Sequence, residues 1–458
     1  MTPYERASLE ASRRLEVMPQ ELDAWMKASE GNVDGLGIHR SQLTALGNLL
    51  GTLTQKQRDL LKARPKPEAT SEYAEAELAF TDEVVGAYEL WTAFRTVFEQ
   101  RREERIRRAL DAADLVAASA YRTAMDQVIA WTVVKKGEYR EPPLVCAEAV
   151  GSPATAARGS QVSGLAGTIQ RYRSKLLPIP LVLFPADRLD DVWTFSTLAH
   201  EVGHDLEADL AFTAEAVEVG LTALTTAGAA QDHLDAWRDW GKEVVADAVG
   251  ITLGGAGFAV GLADWLESVA LAKIFRQPTG DPHPPPHLRI RVLSGLLRAA
   301  GVPSWLTLAD ELDAMLDAPA ASTPAWQQPF DGDAHGFAAA VLTAKLGALK
   351  NHAIVELVPD LTADAAAVET LSTFIRLGVH RDPPPTAFQA RLVPSATSLA
   401  VRAASAKANL GEIAKRALDY IHDIPRPEFL TLPPAGREAF LKRLAEQLEV
   451  RPTEAGAG

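Results

Sequence analysis

Residues Leu198–Leu210 read LAHEVGHDLEADL, and the reading of this stretch decides what kind of molecule the chain makes. Apolar residues precede and thread it at Val192, Phe195, Leu198, Ala199, Val202, Leu206 and Leu210. Spacings of three and four define one buried stripe of a helix, with Asp190 as the expected N-cap. On such a helix His200 and His204 stand one turn apart and project together. Two imidazoles so placed can bind one zinc ion, and Glu201, next to the first histidine, can take a proton from the water the metal activates. Gly203 adds a clue: glycine inside a helix costs about 0.5–1 kcal/mol relative to alanine, so close approach of a second backbone segment is expected there. A stray HExxH occurs in on the order of one in a hundred chains of this size, so the pattern needs support from elsewhere.

The support lies downstream. A catalytic zinc takes three protein ligands and keeps one position open. The single cysteine, Cys146, is remote, so the third ligand is His, Glu or Asp. The segment GKEVVADAVG, Gly241–Gly250, carries Glu243 and Asp247 four apart in otherwise small and apolar surroundings. A carboxylate buried there needs a partner. Glu243 as metal ligand and Asp247 as acceptor for a ligand histidine satisfy both. A half-exposed helix with two solvated acids is the plain alternative. A third unusual stretch, DPHPPPHLRIRVL (Asp281–Leu293), stiffens a loop between His283 and His287 with three prolines and presents Arg289 on the helix expected to follow. A surface loop is the plain reading; a fixed contact with substrate or metal is the functional one.

HEVGHDLEAD, EVVADAVG and HPPPHLRI, in that order, resemble the motifs of the gluzincin metallopeptidases that include the HtpX heat-shock protease, the CAAX prenyl protease and the Oma-type proteases. The resemblance runs over Pro178–Leu297, about a quarter of the chain. It implies a zinc metalloendopeptidase with one zinc ion per chain held by His200, His204 and Glu243. Glu201 is the implied general base, His283 or Arg289 a helper at the developing oxyanion, and Asp247 and Asp209 supporting acids. It also implies a zincin-like α+β core; with helical periodicity on both sides of it, the fold is expected to be mainly α, that core and its small edge-strand sheet lying between helical regions. The strand candidate LPIPLVLFP, Leu177–Pro185, is confined to an edge by its prolines and is expected to hold a peptide by strand addition. His283 is further expected to fill the open metal position in a resting state. Several members of that family are integral membrane proteins. Here the most apolar stretch, Ala248–Ala263, falls short of the ~20 residues needed to span a bilayer.

The 458 residues divide by composition into an N-terminal helical region (1–136), a metallopeptidase core (137–300), a C-terminal helical region (301–450) and a disordered tail (451–458). Loops are expected at DAPAASTPAWQQPFDGDAHG and HRDPPPTAFQARLVP. The net charge of −14 argues against nucleic acid as partner. The basic run RREERIRR, Arg101–Arg108, reads as a solvated helix face held by i,i+4 pairs. One cysteine and no apolar leader point to a soluble, cytoplasmic protein. Trp237 and Trp240 are expected to pack the ligand helix. His39, His233, His335, His352, His380 and His422 read as surface or satisfied core residues. Three function classes remain: a peptidase acting on a peptide or protein, a peptidase gated by a regulatory protein partner, and a non-enzymatic helical scaffold with a structural zinc site.

Overall fold

A computed structural model describes residues 3–30, 36, 38–65, 70–135, 140–158, 177–269, 282–317, 328–379, 387–405 and 407–424. His380 and the tail 451–458 lie outside the described residues. The chain is mainly helical. Helices α1 (Pro3–Glu30), α2 (Arg40–Lys62), α3 (Thr70–Glu99) and α4 (Glu104–Ala130) precede three short strands, β1 (Leu144–Glu148), β2 (Ala154–Ala156) and β3 (Leu181–Pro185). Then come α5 (Leu198–Leu210), α6 (Thr213–Ala227), α7 (Gln231–Gly254), α8 (Ala256–Val269), α9 (Pro286–Ala299), α10 (Trp305–Asp317), α11 (Gln328–Thr343), α12 (Leu361–Leu377), α13 (Val393–Arg402) and α14 (Leu410–His422).

The sheet order is β1-β3-β2, with β3 parallel to β1 and antiparallel to β2. The strand expected at an edge, Ile179–Phe184, is therefore central, and it cannot hold an added peptide. Its prolines fall at the margins: Pro180 lends its carbonyl to Leu144 N–H, and Pro185 is the last residue of the strand. At those positions the missing N–H interrupts no interior ladder bond.

Alternation along the strands gives the sheet two different faces. Val145, Val182 and Phe184 join the large core built from α4 onward to Ile424. Leu144, Cys146, Leu181 and Ile179 join a second core with Trp25, Leu46, Trp91 and Phe98 of the N-terminal helices. The outer edge of β1 is sealed by side chains. Val145 N–H donates to Asp114 Oδ1 (2.8 Å), and Val145 C=O accepts from Arg101 Nη2 (2.7 Å). Ala147 exchanges both its backbone bonds with the Gln100 amide. Among the described residues, no strand pairs with the outer edge of β2.

The basic run is largely solvated, with Arg102–Arg105 and Arg108 exposed, and Arg101 is the exception. The run straddles the joint between α3 and α4, where Glu103 is extended, and Arg101 is fully buried against Asp114. Arg105 and Arg108 reach distant Asp190 and Asp419, so the pairs are long-range rather than i,i+4. Tertiary contacts also override the expected loop at Pro329–Gly336. This segment is the first half of α11, with Ala334 and Phe337 buried and Phe337 stacked on Trp237. The apolar run Ala248–Ala263 is folded on itself, because Gly255 (φ +78°) breaks it into α7 and α8. No described helix is long and apolar enough to cross a membrane.

Candidate metal centre

Helix α5 starts later than Asp190. Residues Val192–Thr197 form a 3-10 turn, in which Thr194 and Thr197 hydroxyls bond carbonyls three residues back. Asp190 is exposed and pairs with Arg105 instead of capping. The apolar stripe is buried as its spacing requires: Val192, Phe195, Leu198, Val202 and Leu206 are at most 1% exposed. The helix ends at Ala211, whose left-handed backbone lets its N–H return to Glu207 O.

Helix α7 crosses α5 at Gly203. A Cβ there would lie 3.1 Å from Ala246 O and 3.2 Å from Ala246 Cα, so the glycine admits the backbone that carries Glu243 and Asp247. Trp237 and Trp240, both buried and edge-on to one another, seat α7 against α11.

The crossing brings His200, His204 and Glu243 together, with one ligand atom from each lying within 4.8 Å of the others. His200 Nε2 is 3.3 Å from Glu243 Oε2, and His204 Nε2 is 3.4 Å from Glu243 Oε1. The two contacts fall on different oxygens of one carboxylate, which places each imidazole at one side of Glu243. Glu243 Oε2 is buried with no hydrogen bond of good geometry, although His200, His283 and Arg289 all stand within 3.7 Å of it. Two imidazole nitrogens and one carboxylate are a donor set that fits zinc.

The residues of this group are braced by neighbours. Asp247, fully buried, lies with Oδ1 2.8 Å from His200 Nδ1 and takes two 2.8 Å bonds from Arg289. Glu207 Oε2 lies 3.5 Å from His204 Nδ1. Arg289, fixed on α9 one turn after its opening Pro286, stands 3.7 Å from Glu243 Oε2. It is buried, bonded to Asp247, and its Nη2 lies 3.3 Å from both ring nitrogens of His200. His283 is half-exposed at the mouth, its Nε2 3.4 Å from Glu243 Oε2, and it is not part of the tight three-residue group.

The electrostatics follow from burial in a crowd of opposite charges. Burial alone raises the Glu243 carboxyl, but bonds to His200 and His204 outweigh it and hold it far below the usual carboxylate range. Burial pulls the His204 imidazole down; Glu207 and Glu243 more than reverse this and lift it to about 10. His200 is likewise raised, burial being outweighed by Asp247 and Glu243.

Asp209 does not touch the ligand histidines. It accepts from Tyr121 Oη (2.6 Å) and from Arg140, with Arg158 Nε 3.3 Å away. It thus anchors the end of α5 to α4 and to the entrances of the strands. Arg158 extends this anchor, donating to Pro178 O (2.6 Å) and to Glu141 O. Its backbone N–H lies 3.4 Å from Asp205 Oδ1. Asp205 is raised to about 8, first by burial and then by Asp209.

Glu201 is 5% exposed, and its Oε2 accepts from Thr155 Oγ1 of β2 at 2.7 Å. Sequence reasoning missed Thr155, Glu207, Tyr121 and Arg158. Glu207, three residues after His204 on one helix, carried a usable spacing signal; Thr155, 46 residues before Glu201, carried none.

Two other groupings have plainer roles. His39, Asp111 and Asp114 also converge, but the Arg101 guanidinium is already there, 2.9 Å from His39 Nε2 and 2.6 Å from Asp114 Oδ2. Ser294, His335 and Asp313 meet as a brace between α9, α10 and α11. The serine is fully buried and bonds Asp313 directly, which is not a nucleophile–base order. No protein-family model matches the chain, and no curated protein or solved structure gives a significant match.

Proposed function

We propose that the chain is a zinc-dependent peptidase of zincin type, with His200, His204 and Glu243 holding the ion and Glu201 serving as general base. The observation that carries this reading is the α5–α7 crossing, which gathers two imidazoles and a carboxylate within 4.8 Å of one another, with Glu201 next in sequence to the first imidazole. The resemblance in the three motifs supports the same assignment. A bound zinc supplies Lewis-acid activation of a water and of the scissile carbonyl.

The protein's own residues do the rest. Glu201 takes the proton of the attacking water and returns it to the leaving amine as the C–N bond breaks. Asp247 and Glu207 orient the two imidazoles so that their Nε2 atoms face Glu243. Arg289 balances the buried acids. With β1 sealed, β2 is the edge that can pair with an extended peptide, and it adjoins Glu201. Such a role suits a peptide or an unfolded segment of a protein. Regulation by a protein partner that moves the flanking helices is compatible with this reading.

A second reading, the helical scaffold with a structural zinc, is favoured by His283. A third imidazole 3.4 Å from Glu243 Oε2 would close the coordination sphere. The Glu201→Gln variant separates the two. In the peptidase, the variant keeps one zinc per chain and loses hydrolysis of an unstructured protein by about 10²–10⁴-fold. Equal behaviour of wild type and variant removes the enzymatic reading. If His283 completes a structural site, His283→Ala lowers zinc affinity; if the site is open, it does not.

A further inference from the structure

We propose that Thr155 is a positioning residue for the Glu201 carboxylate, so that the strand able to receive a peptide also sets the aim of the base. The inference rests on the peptidase reading above.

Thr155 Oγ1 lies 2.7 Å from Glu201 Oε2 and 3.0 Å from Glu201 O. Both of those atoms are acceptors, so the threonine hydroxyl is the donor. A hydroxyl given to a charged carboxylate makes a charge-assisted bond, stronger than a neutral one. Among the described residues the other oxygen, Oε1, has no hydrogen-bond partner and is not a buried orphan. One oxygen is therefore tethered and the other is left to work. A glutamate side chain has three free torsions, and a tether at its tip selects one arrangement of them.

The tether is rigid because the sheet makes it so. Thr155 is in register with Val182, which is in register with Val145, and this row faces α5. The next row, Ala156, Leu181 and Leu144, faces the N-terminal helices. Side chains alternate, so no other residue of β2 can present a group to Glu201. Arg158, two positions past β2, donates to Pro178 O and Glu141 O and is ion-paired with Asp209, which ties the end of the strand to α5. A peptide pairing with the outer edge of β2 would order the backbone that carries Thr155. Base alignment and substrate docking then share one three-residue strand.

The test uses the full-length protein loaded with cobalt(II), whose visible bands report binding without turnover, and acetohydroxamate as probe. A hydroxamate chelates a metal in such a site and delivers its proton to the adjacent carboxylate, so its affinity reads where that carboxylate is. Wild type is compared with Thr155→Val, Thr155→Ala, Thr155→Ser and Glu201→Gln. All five should bind cobalt alike. Acetohydroxamate affinity should fall at least about tenfold in the valine, alanine and glutamine variants and stay near wild type in the serine variant. Peptide hydrolysis should show kcat lowered about 10–100-fold with KM little changed in Thr155→Val, restored by serine.

Cobalt bound normally with unchanged hydroxamate affinity and kcat in Thr155→Val and Thr155→Ala overturns this proposal alone. If wild type binds no cobalt, or Glu201→Gln binds hydroxamate as wild type does, the peptidase reading falls and takes this one with it. Loss of cobalt binding in valine, alanine and serine alike makes Thr155 a folding residue and overturns the proposal.

Discussion

His200 Nδ1 and Asp247 Oδ1 are 2.8 Å apart, and the same carboxylate is held by two bonds from Arg289. A ring that gives its Nδ1 proton to Asp247 has its Nε2 lone pair free toward Glu243 and the ion. Asp247→Asn can no longer accept on both sides with full charge. We expect zinc affinity to fall about 10–100-fold, read by competition with a chromophoric chelator. Asp247→Ala goes further, leaving Arg289 buried and unpaired, and should lower stability by about 3–5 kcal/mol in denaturant unfolding. Wild-type zinc affinity in the asparagine variant would show that Asp247 serves Arg289 alone.

The metal-free site should hold protons that an incoming ion must displace. His204 is raised to about 10 and His200 is raised in the same direction. Groups raised in the folded state stabilise it fully below their unfolded value of ~6.5, and the benefit is lost as pH climbs through about 10. Zinc needs neutral imidazoles, so its affinity should rise across the same window. Zinc added at pH 8 in weak buffer should release about one to two protons per ion, measured with an indicator dye. Zinc uptake at pH 8 with no proton release would mean that both rings are already neutral.

Gly203→Ala inverts the usual helix rule. In an exposed helix interior this change gains about 1 kcal/mol. Here the new methyl meets Ala246 O at 3.1 Å, Ala246 Cα at 3.2 Å and Val249 Cβ at 3.3 Å, two of them backbone atoms that yield little. The crossing must open. The variant should lose about 1–3 kcal/mol in urea unfolding and bind zinc more weakly than wild type. A stabilised variant with intact zinc affinity would mean that the crossing is not tight.

Helices α5 and α7 were legible because both signals are local. His200 and His204 share a face by spacing alone, and the apolar stripe of α5 needs no partner to be read. Glu243 and Asp247 stood out because charge is unusual inside Glu243–Gly250, which the structure buries throughout. What escaped depends on distant chain. The centrality of β3 follows from β2, a three-residue strand too short to announce itself. Asp209 was expected behind the histidines, yet Tyr121 and Arg140, 88 and 69 residues upstream, claim it. The helix at Gln328–Thr343 has poor local propensity, with two glycines in its first nine residues, and owes its form to Phe330 and Phe337 packing on Trp237.

The sealed flank of β1 bears on how the molecule behaves among its own copies. An open strand is a template on which another chain can stack, and proteins guard against that route to aggregates. Here Asp114, Arg101 and Gln100 occupy the amides and carbonyls of Val145 and Ala147 with side chains of the same polypeptide. The remaining flank is three residues long and follows directly on Pro153, a residue without an N–H to offer. Among the described residues, a sheet so bounded gives a sister molecule almost nothing to build upon.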